Sequence, residues 1–193
     1  SGDGSRTPAS SRAGTVTTPP SGEPPEQLSV RPLRADDDAS SFSCGYATLD
    51  TWLHKHAWNS QRRRTAATQV LLADTAEPAG HSPILGYYSL ASTSITTDEL
   101  PRRLSRGQIA VLPAILLARL AVDQRLHGRG VGGALLSHAV RTADHAGRVV
   151  AARLLVVDAI DDQAASFYQH HGFIPLSRGH SRRRLAAVIS HLI

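Results

Sequence analysis

Apolar positions in this chain begin to recur with a regular period only after residue 27. From Ser1 to Glu26 the chain is dominated by Ser, Thr, Pro, Gly and Ala without apolar periodicity. Such a stretch buries too little apolar surface to offset chain entropy, so residues 1–27 read as a disordered arm and residues 28–193 as one domain. Leu28 to Leu33 reads as a strand, Asp36 to Phe42 as a short turn of helix, and Leu49, Trp52, Leu53 and His56 mark a helix from about Ala47 to Gln61. Thr68 to Asp74 and Ile84 to Thr93 read as antiparallel strands joined by a Pro78-Ala79-Gly80 loop.

A central strand is predicted near Pro113 to Val122, ending at Asp123. Gly128, Gly130, Gly132 and Gly133 follow, and then Val131, Leu135, Leu136, Ala139 and Val140 recur with helical period, predicting a helix from Gly130 to Ala146. A buried strand runs from Ala151 to Val157, and a helix from Gln163 to His171 is closed by Gly172. Phe173 to Leu176 and Leu185 to Ser190 complete the sheet. The order is mixed α/β, with a strand-to-helix crossover in the middle.

Strand, glycine loop and helix in succession suit an anionic ligand. Glycines let the main chain approach closely, and the first helical turn presents unpaired N–H groups at the positive end of its dipole. A nucleotide-triphosphate loop would need a lysine after the glycines, and a dinucleotide fingerprint would need an acidic ribose partner; Gly128, Gly130 and Gly133 fit the latter only in spacing.

The loop Arg125-Leu126-His127-Gly128-Arg129-Gly130 resembles the R/Q-x-x-G-x-G/A loop of the GNAT acetyltransferases. The segment from Ala164 to Phe173, with Tyr168 ahead of the Gly172-Phe173 pair, is similar to a second feature of that family. Phe42-Ser43-Cys44-Gly45, Leu49-Asp50-Thr51-Trp52-Leu53, Ala57, Gln61, Arg119 to Asp123 and Val157 to Ile160 resemble its toxin branch, the TacT-like members of toxin–antitoxin pairs. The likeness extends from about Ser29 to Pro175.

That resemblance implies a GNAT fold, α/β, with a mixed and mostly antiparallel central sheet flanked by helices and acetyl-CoA in the cleft after the central strand. It implies acetyl transfer to the α-amine of aminoacyl-tRNA, blocked translation, and neutralisation by a ribbon-helix-helix antitoxin. A small-molecule amine or a protein amine is the alternative acceptor, and a non-catalytic binding module is a third reading. Tyr168 is implied as the catalytic proton or hydrogen-bond donor to the sulfur. The implied cofactor contacts are Leu120, Ala121, Val122, Arg125, Leu126, His127, Gly128, Arg129, Gly130, Val131, Gly132 and Ser166. Phe167, one position before Tyr168, reads as core.

Charge and composition sharpen the picture. The net charge is +5, and Lys55 is the sole lysine, so the positive charge is almost all arginine. Guanidinium forks bind phosphate bidentately, and the clusters Arg62-Arg63-Arg64, Arg102-Arg103-Arg106 and Arg182-Arg183-Arg184 fit a nucleic-acid partner; a G+C-rich genome would also favour arginine. The basic stretch Gly179 to Arg184 departs from the toxin pattern and reads as either a further tRNA contact or a surface loop.

Cys44, alone, excludes an intrachain disulfide and a multi-cysteine zinc site, and reads as a small buried residue. His54 with His56, and His170 with His171, lack the spacing and acidic partner of a zinc helix, so no metal is expected. No long apolar span or hydrophobic leader is visible, so the expected location is cytoplasmic, without membrane contact. A homodimer is compatible with the sequence.

A lysine ε-amine, with a pKa of about 10.4, needs an enzymic base at neutral pH, whereas an α-amine at about 7.7 to 8.0 is neutral in a fraction of about a tenth. The recognised motifs contain no evident base, which fits an α-amine acceptor. Asp158, Glu99 or a histidine elsewhere remain the candidates for one.

Overall fold

The structure is a computed structural model, and it describes residues 28–73, 82–176 and 183–193. The expected arm at 1–27, the Pro78-Ala79-Gly80 loop and most of the basic stretch 179–184 lie outside the described residues.

The elements in chain order are β1 (Leu28–Pro32), α1 (Ala47–Lys55), α2 (Ala57–Arg62), β2 (Ala67–Ala73), β3 (Ile84–Thr96) and α3 (Arg102–Ser105). They continue with β4 (Val111–Val122), α4 (Val131–Val150), β5 (Leu154–Asp158), α5 (Asp162–His170), β6 (Ile174–Pro175) and β7 (Arg184–Val188). The seven strands form one sheet in the order β1-β2-β3-β4-β5-β7-β6, antiparallel throughout except for the β4–β5 pair. That parallel pair is possible because α4 carries the chain back along the sheet.

Strand alternation divides the core into two faces. Leu71, Tyr88, Leu117, Leu155 and Leu185 pack with Leu135, Leu136 and Ala139 of α4 and with Ala165 and Tyr168 of α5. Their neighbours Val70, Leu72, Tyr87 and Ala121 point the other way, against Phe42, Trp52, Leu53 and Ala57 around α1 and α2. Further along that second face, Ile95, Leu112, Ala114, Leu154 and Val156 form a separate cluster beneath the long β3–β4 hairpin.

Several sequence-based boundaries move. The expected helical turn at Asp36–Phe42 is a series of turns organised by Asp37, which accepts from the Arg34 amide at 2.7 Å and pairs with Arg31. The single helix at 47–61 is two, broken at His56, whose ψ of -26° at φ -122° leaves helical geometry. The Gly130–Ala146 helix continues to Val150 and ends on Ala151 at φ 58°, so the next strand begins at Leu154 and not at Ala151. The last strand stops at Val188, where Ile189–His191 turn into a short 3-10 helix.

Candidate active site

Two irregularities in β4 open the sheet. Ser89 pairs with Arg119 but Leu90 pairs with Leu117, so Ala118 is an extra residue, a bulge that bends the strand. On the other side, pairing with β5 ends at Leu117 opposite Val157, although β4 runs on to Val122. Asp123 donates its amide to the Leu85 carbonyl at 2.9 Å. By alternation, Ala121 and Arg119 also face β3, and the peptide groups of Leu120 and Val122 point into the gap left by β5. The Val122 carbonyl accepts from His127 Nε2 at 2.8 Å, which agrees with that direction.

The gap is a cleft of about 400 Å³. One wall holds Leu126, His127, Gly128, Gly130, Val131 and Gly132 at the start of α4, and another holds Ile160, Gln163, Ala164, Phe167 and Tyr168 of α5 and its entry turn. Cys44, Tyr46 and Leu49 close it from the α1 side, over a floor of Leu120, Ala121 and Val122.

Local geometry shows why this sequence builds an anion cradle. Gly128 and Gly130 sit at φ +74° and +77°, where a side chain is strained, and a Cβ at either would meet nothing within 4 Å. Gly130 is also the N-cap of the 20-residue α4, so no side chain caps the first-turn N–H groups of Val131, Gly132 and Gly133. They remain free for an anionic ligand.

The loop is anchored by Asp123, which is 2% exposed. Its carboxylate accepts from Arg125 N (3.0 Å), Nε (2.7 Å) and Nη2 (3.0 Å) and from the Ser43 amide (3.3 Å). The Arg125 side chain and these amide bonds hold the carboxyl below the usual carboxylate range despite burial. Gln124 N donates to Ser43 O at 2.9 Å, while Asp50 accepts from Cys44 N (2.9 Å) and Ser43 Oγ (3.1 Å). The glycine loop and the start of α1 are thereby tied together. Tyr46 Oη donates to Asp161, which also N-caps α5 by accepting from Ala164 N at 2.7 Å.

Tyr168 is 6% exposed, and burial pushes its phenol above the ordinary tyrosine value. Its ring meets Phe167 and Phe173 edge to face, but its hydroxyl has no hydrogen-bond partner among the described residues. A cleft-lining phenol with an unused donor is a ready hydrogen-bond donor to a ligand. Cys44 is buried and its thiol is pushed up to about 12, chiefly by desolvation, so it is no thiolate nucleophile at neutral pH.

Of the residues singled out from sequence, Leu120, Ala121, Val122, Leu126, His127, Gly128, Gly130, Val131, Gly132 and Tyr168 are brought together on the cleft. The side chains of three others are not. Arg125 is spent on Asp123, Arg129 is exposed outside the lining, and Ser166 turns its hydroxyl back onto the Asp162 carbonyl at 2.8 Å. Phe167, expected in the core, is half-buried on the cleft wall beside Gly132, with its ring 4.5 Å from that of His171. The cleft curves around α5 far enough to meet two successive residues.

Sequence reasoning missed Tyr46, Leu49, Ile160 and Gln163 as wall residues. Leu49 lay within a recognised segment, but nothing local to it signalled a cleft. Neither carboxylate named as a possible base is in the cleft lining: Glu99 accepts from the Thr96 amide at 2.8 Å in the β3–β4 hairpin turn, and Asp158 lies 3.7 Å from Arg184. Among the described residues, no three His, Cys, Asp or Glu side chains group as metal ligands, and no helix is long and apolar enough to cross a membrane.

Comparison with known proteins agrees with this geometry. Residues 81–175 match the acetyltransferase (GNAT) domain. A tRNA-acetylating toxin of Mycobacterium tuberculosis is 35% identical over 137 residues, 71% of this chain and 78% of the relative. The solved structure of AtaT complexed with acetyl-methionyl-tRNAfMet superposes with a TM-score of 0.78 at 29% identity, covering 86% of this chain and 97% of that one. An AtaT mutant toxin bound to the C-terminus of the antitoxin AtaR and acetyl-CoA gives 0.71 at 28% identity, covering 86% and 95%. With an open β4–β5 fork, an uncapped glycine cradle and a relative of this identity and coverage, the chain belongs to the GNAT acetyltransferases.

Proposed function

We propose that this chain is a toxin that transfers the acetyl group of acetyl-CoA to the α-amine of aminoacyl-tRNA and so blocks translation. The observation that carries the reading is the convergence, on one cleft, of the uncapped α4 N-terminus, the peptide N–H groups of Leu120 and Val122 that β5 leaves without a strand partner, and the unused Tyr168 hydroxyl. The relative from Mycobacterium tuberculosis, named a tRNA-acetylating toxin, and the AtaT complex with acetyl-methionyl-tRNAfMet support the choice of acceptor.

Acetyl-CoA supplies an activated acyl carbon and a sulfur leaving group. Val131, Gly132 and Gly133 amides bind its diphosphate at the positive end of α4, with Gly128 and Gly130 leaving room for close approach. Leu120 and Val122 orient the thioester arm along the open edge of β4, where their N–H groups face the carbonyl oxygen and stabilise the negative charge that builds there. Tyr168 holds a proton for the departing sulfur. Because a thiol near 8.5 is a stronger acid than this raised phenol, a hydrogen bond to the developing thiolate contributes more than complete proton transfer. The acceptor amine forms the C–N bond with its own lone pair and releases its proton to water, which an α-amine of low pKa can do without a protein base.

The wall formed by Cys44, Tyr46 and Leu49, on the α1 side of the cleft, receives the acceptor. By the family resemblance the regulatory partner is an antitoxin of the ribbon-helix-helix type; the structure of an AtaT mutant bound to the C-terminus of the antitoxin AtaR supports an antitoxin partner. A charged-tRNA acceptor places the reaction in the cytoplasm. Incubation with labelled acetyl-CoA and a full set of charged tRNAs tests the reading: acetyl label on the aminoacyl moiety of at least one tRNA is expected, and its absence from every species with folded protein overturns it.

A further inference from the structure

Arg119 lies in β4, one residue before the cleft floor begins at Leu120. Its side chain leaves the sheet on the same face as Ala121, the face covered by α1. There the guanidinium carbon sits 4.0 Å from the centroid of the Trp52 ring. Trp52 is itself stacked on Tyr87 at 5.8 Å and 15°, and the Tyr87 hydroxyl donates to the Leu49 carbonyl at 2.9 Å. Arginine, indole and phenol therefore form a braced stack beneath α1, one turn along that helix from the cleft-lining Leu49.

What this arginine lacks is an anion. Arg31 and Arg125 each hold a carboxylate, whereas Arg119 has no ion pair and no hydrogen bond to any described residue. Yet it is half-buried, and desolvation lowers its pKa. An aromatic face offsets part of the cost of desolvating a cation but satisfies none of its five N–H donors. A flat guanidinium fixed in this way is preorganised for a planar, bidentate anion.

Resting on the function proposed above, we infer that Arg119 is a phosphate-binding site that holds a phosphodiester of the acceptor RNA's 3′ end while its aminoacyl group occupies the cleft. The acceptor's chemistry selects the anion. The carboxyl group of an aminoacyl ester is tied up in the bond to ribose, so the negative charges that such an acceptor offers near its reacting amine are backbone phosphates. From Arg119 to Ala121, the cleft-floor residue on its own face of the sheet, is two strand residues, about 6.6 Å of rise, and from Trp52 to Leu49 is less than one helical turn of about 5.4 Å. The neighbouring linkage of the RNA chain falls within that reach.

The test compares the unmodified chain with Arg119→Gln and Arg119→Lys on two acceptors, charged tRNA and an aminoacyl-adenosine that carries no phosphate, alongside titration of uncharged tRNA at several salt concentrations. Arg119→Gln is expected to raise KM for charged tRNA about tenfold with kcat little changed and to leave KM for aminoacyl-adenosine unaltered. The slope of log affinity for uncharged tRNA against log salt becomes shallower by about 0.7, the loss of one single-strand phosphate contact. Arg119→Lys restores the charge and the slope but only part of the affinity, because it lacks the fork. Equal losses on both acceptors, or an unchanged salt slope in a variant that still binds acetyl-CoA, overturn the phosphate site while leaving the proposed function standing. Failure of the unmodified chain to acetylate either acceptor overturns both.

Discussion

Replacing Tyr168 by phenylalanine removes one oxygen whose surroundings make opposite demands on folding and on catalysis. The hydroxyl has no protein partner among the described residues, so its loss orphans nothing, and the nearly isosteric ring keeps its edge-to-face contacts with Phe167 and Phe173. Stability is therefore expected to stay level or rise slightly. Catalysis loses a hydrogen bond to developing charge, worth about 1.5 to 3 kcal/mol, or about a 10- to 150-fold fall in kcat; a fall towards 10⁴-fold would mean that the proton is transferred outright. Single-turnover acetylation gives the chemical step, calorimetry the acetyl-CoA affinity, and thermal unfolding the stability. Tyr87→Phe is the control, since that hydroxyl does have a partner in the Leu49 carbonyl and its removal is expected to cost about 1 to 3 kcal/mol of stability. A Tyr168→Phe rate within threefold of the unmodified chain, or a loss of acetyl-CoA affinity as large as the loss of rate, refutes the assignment.

Further outcomes follow from the same geometry. Gly128→Ala meets no atom within 4 Å and costs about 1 to 2 kcal/mol of left-handed strain, but is expected to weaken acetyl-CoA binding at least tenfold by calorimetry as the cradle distorts. Gly147→Ala, whose Cβ would lie 2.4 Å from the Ala152 carbonyl oxygen, is expected to lower the unfolding midpoint while the affinity per folded molecule stays unchanged. Asp123 has a folded-state pKa below 3.8, so its stabilisation is present above the unfolded value and is lost as pH falls through the folded one. Asp123→Asn should therefore lower stability at pH 7 and flatten its decline below about pH 4, measured by unfolding across pH 3 to 7; an unaltered acid slope contradicts the clamp. Because burial raises the Tyr168 phenol, titration of that residue is expected to cause no fall in transfer rate up to about pH 10, and a fall at lower pH that disappears in Tyr168→Phe argues against it.

Much of the site could be read from the chain because its demands are local. Positive-φ turns need glycine, so the cradle announced itself at Gly128 and Gly130, and the α4 period was plain from Val131 to Val140. Tyr168 emerged only from its likeness to a family pattern, since a helical tyrosine before a glycine carries no chemistry of its own. The break at His56 was hidden, because the apolar period of α1 runs on into α2 while the backbone turns, with the exposed Trp58 and Arg62 beyond the break.

By itself the sequence determined the order of the strands and of the helices α4 and α5, the place where the main chain is bare enough to hold a phosphate, and the excess of arginine, all of which depend on residues within a few positions of one another. Only the tertiary structure decided what faces the cleft. The Tyr46–Asp161 contact spans 115 positions and the Ser43–Asp123 contact spans 80. Long-range packing also buries Asp123, which holds its local partner Arg125, and it seats Arg119 on Trp52 without a carboxylate. That Arg119 stays available depends on the neighbours that folding brings together, and no local period encodes that.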